Sequence, residues 1–167
     1  NQVGLSATQV GVGIGAGALL GMVARFLGGT MADSPQWGRR VTLLLSTLIS
    51  AAADGVLVLT TTFPLFVVGN LLMGFGVGLY WPATDAVIAD ITTVRQRNEA
   101  YAIVRLADSV GLGLGVVFGG LLISLTGAYR ALFVIDGITF LLFFGIIYTA
   151  IPETLQTGDT QTSFWQG

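Results

Sequence analysis

Apolar residues fall into five long stretches that are separated by short polar connections. Each stretch approaches the ~20 residues that an α-helix needs to cross a bilayer. None alternates between polar and apolar positions as the ~10-residue strands of a membrane barrel do. Because a lipid-facing backbone must satisfy its hydrogen bonds internally, the pattern predicts a transmembrane helical bundle over residues 1–151. The five predicted spans are about 6–31, 41–61, 64–88, 99–125 and 130–151.

The connections differ in their arginine content, which predicts the orientation of the bundle. Four arginines lie in connections 33–40 and 90–98, whereas only Arg130 adjoins a connection on the other side. Arginine is enriched in cytoplasmic loops, so these two connections are predicted to be cytoplasmic. Residues 152–167 then form a polar cytoplasmic tail or a linker. The chain begins at Asn1 without an initiator Met or a basic leader, and we interpret it as part of a longer protein with a preceding helix.

Composition supports a membrane location. Hydrophobic residues make up 53% of the chain and charged residues only 10%, against about a quarter in soluble domains. So few charged residues do not cover a water-facing surface. The 24 glycines lie largely inside the apolar stretches, where small residues let helices approach closely. We therefore predict an all-α, polytopic integral membrane protein, with the plasma (cell inner) membrane as its location.

Several kinds of chemistry are excluded for this chain by missing residue types. It contains no Cys and no His, which excludes disulfides, metal sites built on those residues and nucleophilic triads that need them. It contains no Lys and has a net charge of −2, so no nucleic-acid surface is indicated. We expect no enzymatic activity, no cofactor and no metal.

The first connection carries a motif. Gly29 and Asp33 are followed by Gly38, Arg39 and Arg40. This resembles the signature loop of the major facilitator superfamily, G-x-x-x-D-R-x-G-R-R, which joins that family's second and third helices. The loop here is two residues longer and lacks the Arg after the Asp.

Two later stretches resemble motifs of the same family, in the same order. Asn70, Gly74 and Gly76 resemble the fourth-helix motif R-x-x-Q-G-x-G, with Asn70 in place of Arg. The stretch 111–120 resembles the fifth-helix motif G-x-x-x-G-P-x-x-G-G, with Val116 in place of Pro. In the family this Arg is associated with proton coupling and this Pro with exchange. The resemblance therefore implies the fold and leaves the mode of energisation open.

The resemblance covers nearly the whole chain. The sequence Ile-Pro-Glu-Thr at 151–154 is also common after the sixth helix of the family. The resemblance implies helices two to six of a twelve-helix protein, that is, a partial six-helix half with a second transporter half as its partner.

The resemblance also implies that the charged connections form a conformational lock, which holds one state of the transporter through contacts with its other half. A carboxylate at a helix end can accept N–H bonds or pair with Arg, which suits such a contact. The alternative is solvated charges and positive-inside anchors. The residues assigned to the lock are Gly29, Asp33, Gly38, Arg39, Arg40, Asp90, Arg95 and Arg97.

Arg105 and Asp108 are charged residues within the fourth stretch. They are three residues apart, so on a helix they share a face and can pair. Charge inside a membrane is costly and tends to face a cavity. We predict that both face the bundle interior and belong to the substrate or ion path. The alternative is a structural pair that neutralises itself.

Five further polar residues are weaker candidates for that path. Asp54 and Asp136 stand alone in their stretches, and a carboxyl group in apolar surroundings tends to keep its proton. Such a group serves as a proton carrier or as a structural hydrogen-bonding group. Arg25 either extends to the interface or lines a cavity. Tyr80 is assigned to the cavity, and Asn70 is expected to bond across helices.

Glycines repeat along two of the predicted helices. Gly111, Gly115 and Gly119 recur every four residues and, with Gly120, are predicted to pack against a neighbouring helix or the other half. The first stretch is predicted to pack closely through Gly11, Gly13, Gly15, Gly17 and Gly21.

Together these features predict a secondary transporter that moves a small-molecule substrate by alternating access. Its expected partners are the lipid bilayer, other membrane helices or the second half, and the solute, with protons as a candidate coupling ion. The alternative is a non-transporting structural or accessory subunit that keeps a transporter-like fold.

Overall fold

The computed structural model describes residues 4–155, which form five α-helices and, within that range, no strand. Each helix is long enough and apolar enough to cross a membrane. The prediction of an all-α bundle with five membrane helices is therefore confirmed. Of the predicted tail or linker at 152–167, residues 156–167 lie outside the described residues. The helices are α1 (Ala7–Ala32), α2 (Gly38–Val58), α3 (Phe63–Ile91), α4 (Val94–Thr126) and α5 (Tyr129–Ala150).

Local signals in the sequence set several helix ends. The Ser6 hydroxyl accepts a hydrogen bond from the Gln9 backbone N–H, and the Gln9 side chain accepts one from the Ser6 N–H, which closes a capping box before α1. Pro64 occupies the first turn of α3, where its missing N–H costs nothing. Gly127 ends α4 with a left-handed backbone at φ 65°, which glycine adopts without strain.

The third helix is the centre of the bundle. Helix α1 packs along one side of α3 and α2 along another, while α5 packs on α2. Helix α4 touches α3 over a short length, and none of its residues is buried among the described residues. The row α1–α3–α2–α5 is therefore a packed unit, and α4 lies beside it with most of its surface uncovered.

Glycines bring the backbones of α1 and α3 into direct contact. A Cβ at Gly17 would overlap the Asn70 carbonyl, and one at Gly21 would lie 2.9 Å from the Gly74 carbonyl oxygen. At Gly13 a Cβ would lie 2.5 Å from the Phe66 ring. Backbones this close require glycine, so the predicted close packing of the first span holds at these three positions.

Among the described residues Gly11 and Gly15 make no such contact, so for these two close packing stays a prediction. A Cβ at either position would meet nothing within 4 Å, because these residues lie on the opposite face of α1. Helix α1 is apolar on all sides, so its hydrophobic pattern did not distinguish the two faces.

The described helices run further into the polar connections than hydropathy indicated. Helix α3 continues to Ile91 and α4 begins at Val94, so the predicted connection 90–98 is reduced to two residues. Arg95 and Arg97 consequently lie in the first turn of α4. Hydropathy marks where a helix enters lipid, and the backbone keeps its helical hydrogen bonds beyond that point.

Candidate functional site

Charged side chains gather where the α1–α2 connection, the end of α3 and the segment after α5 meet. We call this group the charged loop cluster. Its members belong to three segments that are far apart in the chain but lie at one end of the bundle. The cluster consists of Asp33, Arg39, Arg40, Asp90, Glu153 and Thr154.

Arg39 joins two connections of the bundle. Its Nε lies 2.9 Å from Asp90 Oδ2, and its guanidinium lies 3.4 Å from Asp33 Oδ1. Besides these two ion pairs, the Arg39 Nη1–H donates a hydrogen bond to the Ala32 carbonyl oxygen at 2.9 Å. The Arg39 side chain is only 12% exposed, whereas that of Asp33 is 72% exposed. Arg39 is thus held firmly, and the Asp33 carboxylate is open to a further partner.

Glu153 caps the amino end of α2. Its two carboxylate oxygens accept the backbone N–H groups of Arg39 and Arg40 at 3.0 and 3.1 Å. Negative charge at a helix amino terminus is stabilising, because the first N–H groups have no partner within the helix. Gly38 has a φ of 70°, and a Cβ there would overlap the Glu153 carboxylate. Glycine at 38 therefore makes room for the cap.

The remaining contacts tie the end of α5 to the same place. The Arg40 guanidinium donates to the Tyr148 carbonyl oxygen at 2.6 Å and lies 5.3 Å from the centre of the Tyr148 ring. The Thr154 hydroxyl donates to Asp90 Oδ2 at 2.8 Å. Asp90 thus receives Arg39 and Thr154 together, which links α2, α3 and the segment after α5.

Four of the residues assigned to the lock are not members of the cluster, although one of them, Gly38, lies against Glu153. Gly29 packs near Pro82, and Arg97 donates to the Ala89 carbonyl oxygen at 3.0 Å. Arg95 is exposed and makes no ion pair within residues 4–155.

Glu153 and Thr154 were not among the predicted lock residues. A carboxylate directly after Pro152 marked the position in the sequence, but nothing local connects it to a helix start 114 residues earlier.

Arg105 pairs with a residue on another helix. Its guanidinium lies 3.4 Å from Asp85 Oδ1 and 4.4 Å from the centre of the Trp81 ring. Asp85 was not among the predicted site residues, although it lies inside the predicted span 64–88. The pair holds α4 against α3, where the two helices have few other contacts. Both side chains are about half exposed, at 53% and 42%.

Asp108 does not pair with Arg105. One of its carboxylate oxygens is buried without a hydrogen-bond partner among the described residues. Arg105 therefore pairs with Asp85, which lies opposite it on α3, and does not pair with Asp108 on its own helix.

Asp54 is the most deeply buried acidic residue of the described chain. It is 1% exposed, lies on the face of α2 that contacts α5, and neither carboxylate oxygen has a hydrogen-bond partner. Asp136 lies on α5 and lines a groove between α4 and α5 with a volume of about 570 Å³. The two candidates that sequence reasoning ranked below Arg105 and Asp108 thus lie on packed neighbouring helices.

The other polar candidates are spread over the bundle. The Asn70 side-chain N–H₂ donates to the Phe66 carbonyl oxygen at 2.8 Å, which is a bond within α3. The prediction was a bond to another helix. Tyr80 lines a cavity between α2, α3 and α5 and touches the Phe143 ring edge-on. Arg25 is exposed and lines a groove between α1 and α3.

The glycine stripe of α4 is uncovered within the described chain. A Cβ at Gly111, Gly115 or Gly120 would meet nothing within 4 Å, and one at Gly119 would make an ordinary 3.5 Å contact with Leu132. Within residues 4–155, no neighbouring helix covers the stripe, so its close packing stays a prediction about other helices.

Five membrane-length helices with ion pairs gathered at one end define a polytopic integral membrane protein. The family profile of the Major Facilitator Superfamily matches residues 1–166, and the chain belongs to that superfamily. The resemblance found in the sequence is thereby confirmed.

The chain is similar to part of the length of three relatives. It is 27% identical over 98% of its length to the uncharacterized MFS-type transporter YttB of Bacillus subtilis, of which it covers 40%. It is 26% identical over 73% of its length to multidrug resistance protein 1 of the same organism, covering 31% of that protein. It is 26% identical over 87% of its length to a triacylglyceride transporter of Mycolicibacterium hassiacum, covering 27%. The chain therefore spans less than half the length of these relatives.

Proposed function

We propose that this chain is most of the amino-terminal half of a secondary transporter, which moves a small solute across the plasma membrane by alternating access. Membership of the superfamily and relatives named as transporters support transport over enzymatic activity. In such a mechanism two helical bundles rock about a central site, and each state is held by contacts that the other state breaks.

The charged loop cluster is the observation that carries the proposal. Arg39 is fixed by Asp90, Ala32 and Asp33, yet the Asp33 carboxylate remains largely exposed at the end of the bundle. An exposed carboxylate beside an arginine that is only 12% exposed suits a reversible contact with a second bundle. Breaking that contact leaves the arginine paired with Asp90. We place the cluster on the cytoplasmic side, in agreement with the arginine distribution.

The test is solute movement by the protein that contains this chain, purified into lipid vesicles with imposed proton or sodium gradients. Since its relatives are named for drugs and triacylglycerides, lipophilic fluorescent dyes are the first probes. We expect Arg39→Gln to slow movement by about tenfold, the effect of a change of about 1.4 kcal/mol between two states. Arg95→Gln is the matched control, since Arg95 makes no ion pair in the described part of the chain.

Two outcomes would count against the proposal. If the folded protein moves none of the probes, sugars and amino acids included, under any gradient, the non-transporting alternative is favoured. If Arg39→Gln and Arg95→Gln transport equally well, the cluster has only a structural role.

A further inference from the structure

A polar stripe runs along the buried face of α2, beside the buried apolar residues Leu43, Ala53 and Leu57. Thr42, Ser46, Ser50 and Asp54 follow one another every four residues, so they form one stripe along the helix. All four are at most 1% exposed. The face that points away from the bundle is apolar, as a helix in contact with lipid requires.

The hydroxyl groups of this stripe are satisfied largely by their own helix. Thr42 donates to the Gly38 carbonyl oxygen and Ser46 to the Leu43 carbonyl oxygen, each at 2.7 Å. A hydroxyl that donates to its own backbone still offers its oxygen lone pairs to water. The stripe is therefore a row of acceptors that leads to Asp54.

Asp54 is the last residue of this row, and its carboxyl group lacks a hydrogen-bond donor among the described residues. Both its oxygens are buried, and neither has a partner within residues 4–155. On α5, Gly137 lies directly against it, with a Cβ there only 3.3 Å from the Asp54 Cβ. Asp136 is the next residue along α5, so the two carboxyl groups belong to packed neighbouring helices. Two carboxylates so placed disfavour double ionisation.

No basic group in the packed helices neutralises this pair. Helix α3 has no titratable side chain between Phe63 and Leu79, and Arg25, the only charged residue of α1, lies in the groove against α3. On α5, Arg130 donates to the Thr60 carbonyl oxygen at 3.2 Å, which is six residues beyond Asp54. The carboxyl pair therefore gains stability by binding a proton or a small cation.

One cavity lies a helical turn of α2 away from Asp54, and a groove is lined by Asp136 itself. A cavity of about 280 Å³ is bounded by Ser46, Thr47 and Ser50 on α2 and by aromatic residues of α3 and α5, and it ends one helical turn from Asp54. It has room for several water molecules at ~30 Å³ each. The groove that Asp136 lines lies between α4 and α5.

We propose that Asp54 and Asp136 form a proton-exchange site, loaded through the hydroxyl-lined cavity and unloaded through the α4–α5 groove. In loading, an O–H bond of a hydronium ion breaks and an O–H bond forms on one carboxylate, which becomes neutral while water is released. Unloading reverses the step into the groove. A proton suits the site better than a metal ion, because residues 4–155 contain no group of three or more acidic ligands. The proposal rests on the proposed transport function, for which it names the coupling ion.

The first test needs no transport substrate. Dicyclohexylcarbodiimide modifies protonated carboxyl groups in apolar surroundings, so the whole protein in lipid vesicles is treated with it and the modified residues are identified by mass spectrometry. We expect modification at Asp54, falling at least tenfold from mildly acidic to alkaline pH. Asp54→Asn should lose the label, Asp54→Glu should keep it and thereby control for folding, and the exposed Glu99 should stay unlabelled. An unlabelled Asp54, or labelling that does not depend on pH, would overturn the proposal.

The second test separates this proposal from the proposed function. A proton gradient should drive accumulation of a lipophilic dye by the wild type, and Asp54→Asn and Asp136→Asn should abolish accumulation while passive equilibration of the dye persists. Glu99→Gln is the matched control and should accumulate the dye normally. If both Asn variants accumulate dye as the wild type does, the proton site is wrong and transport stands. If no variant moves any dye, the proposed function fails, while carbodiimide modification still reports on the site.

Discussion

Gly13, Gly17 and Gly21 lie on the face of α1 that contacts α3, whereas Gly11 and Gly15 lie on its open face. Their chemistry is identical, so the difference comes entirely from what lies opposite. The sequence indicated close packing from the number of glycines. It did not indicate the face, because α1 lacks the polar residues that would mark one side. The glycine content therefore predicted close packing of α1, but it did not predict which glycines make the contact.

This difference gives a paired test in one helix. Gly17→Ala places a methyl group against the Asn70 carbonyl and should lower the free energy of unfolding by about 1–3 kcal/mol, the usual cost of overpacking. Gly15→Ala meets open space and should be neutral or stabilising by up to about 1 kcal/mol, because alanine favours the helix. Equilibrium unfolding in mixed micelles measures both. Equal losses for the two variants would mean that the helices do not touch through Gly17.

The start of α2 shows an element completed by a distant part of the chain. Trp37 provides no side-chain cap, and the N–H groups of the first turn are bound by Glu153 from beyond α5. Hydropathy placed all five helices, because a lipid-facing helix must be apolar over its whole span. It did not place this cap, since a capping contact between residues 114 positions apart leaves no periodic signal.

Removing the charge of this cap should loosen α2 at its start. Glu153→Gln keeps the size of the side chain but weakens both bonds to the backbone, and a cap is worth about 0.5–2 kcal/mol. Hydrogen exchange at the amides of Arg39 and Arg40 should therefore quicken, by up to about thirtyfold. Glu99→Gln, on an exposed part of α4, is the control and should leave that exchange unchanged. Unaltered exchange in Glu153→Gln would show that another group caps the helix.

Helix α4 is only loosely part of the described bundle. Its 33 residues extend about 50 Å at 1.5 Å per residue, and its main tie to α3 includes the half-exposed Arg105–Asp85 pair. The family motif predicted that its glycine stripe packs, and the described residues leave that stripe open. The chain spans less than half the length of the relatives reported above, and packing of the stripe stays a prediction about helices other than the five described.

If the open stripe serves for assembly with other helices, a larger side chain there should leave the described bundle stable. The same side chain should prevent the assembly that transport requires. Gly115→Leu should leave the unfolding of the packed row α1–α3–α2–α5 unchanged and abolish transport, because leucine keeps another helix from approaching. Gly113→Leu lies on the opposite face of α4, also in open space, and should retain activity. The measurement is the transport rate of each variant, normalised to the amount of folded protein. Full activity of Gly115→Leu would place the stripe against lipid.

The polar stripe of α2 also bears on how the protein is made. A helix whose hydroxyls bond to their own backbone can leave the translocation channel singly, because Thr42 and Ser46 expose no unmet donor to lipid. Asp54 is different, since its resting place is against α5, which is synthesised about 80 residues later. Between those two events the carboxyl group must stay neutral or stay in the channel. We therefore expect the arrival of α5, which covers Asp54, to stabilise α2 in the membrane.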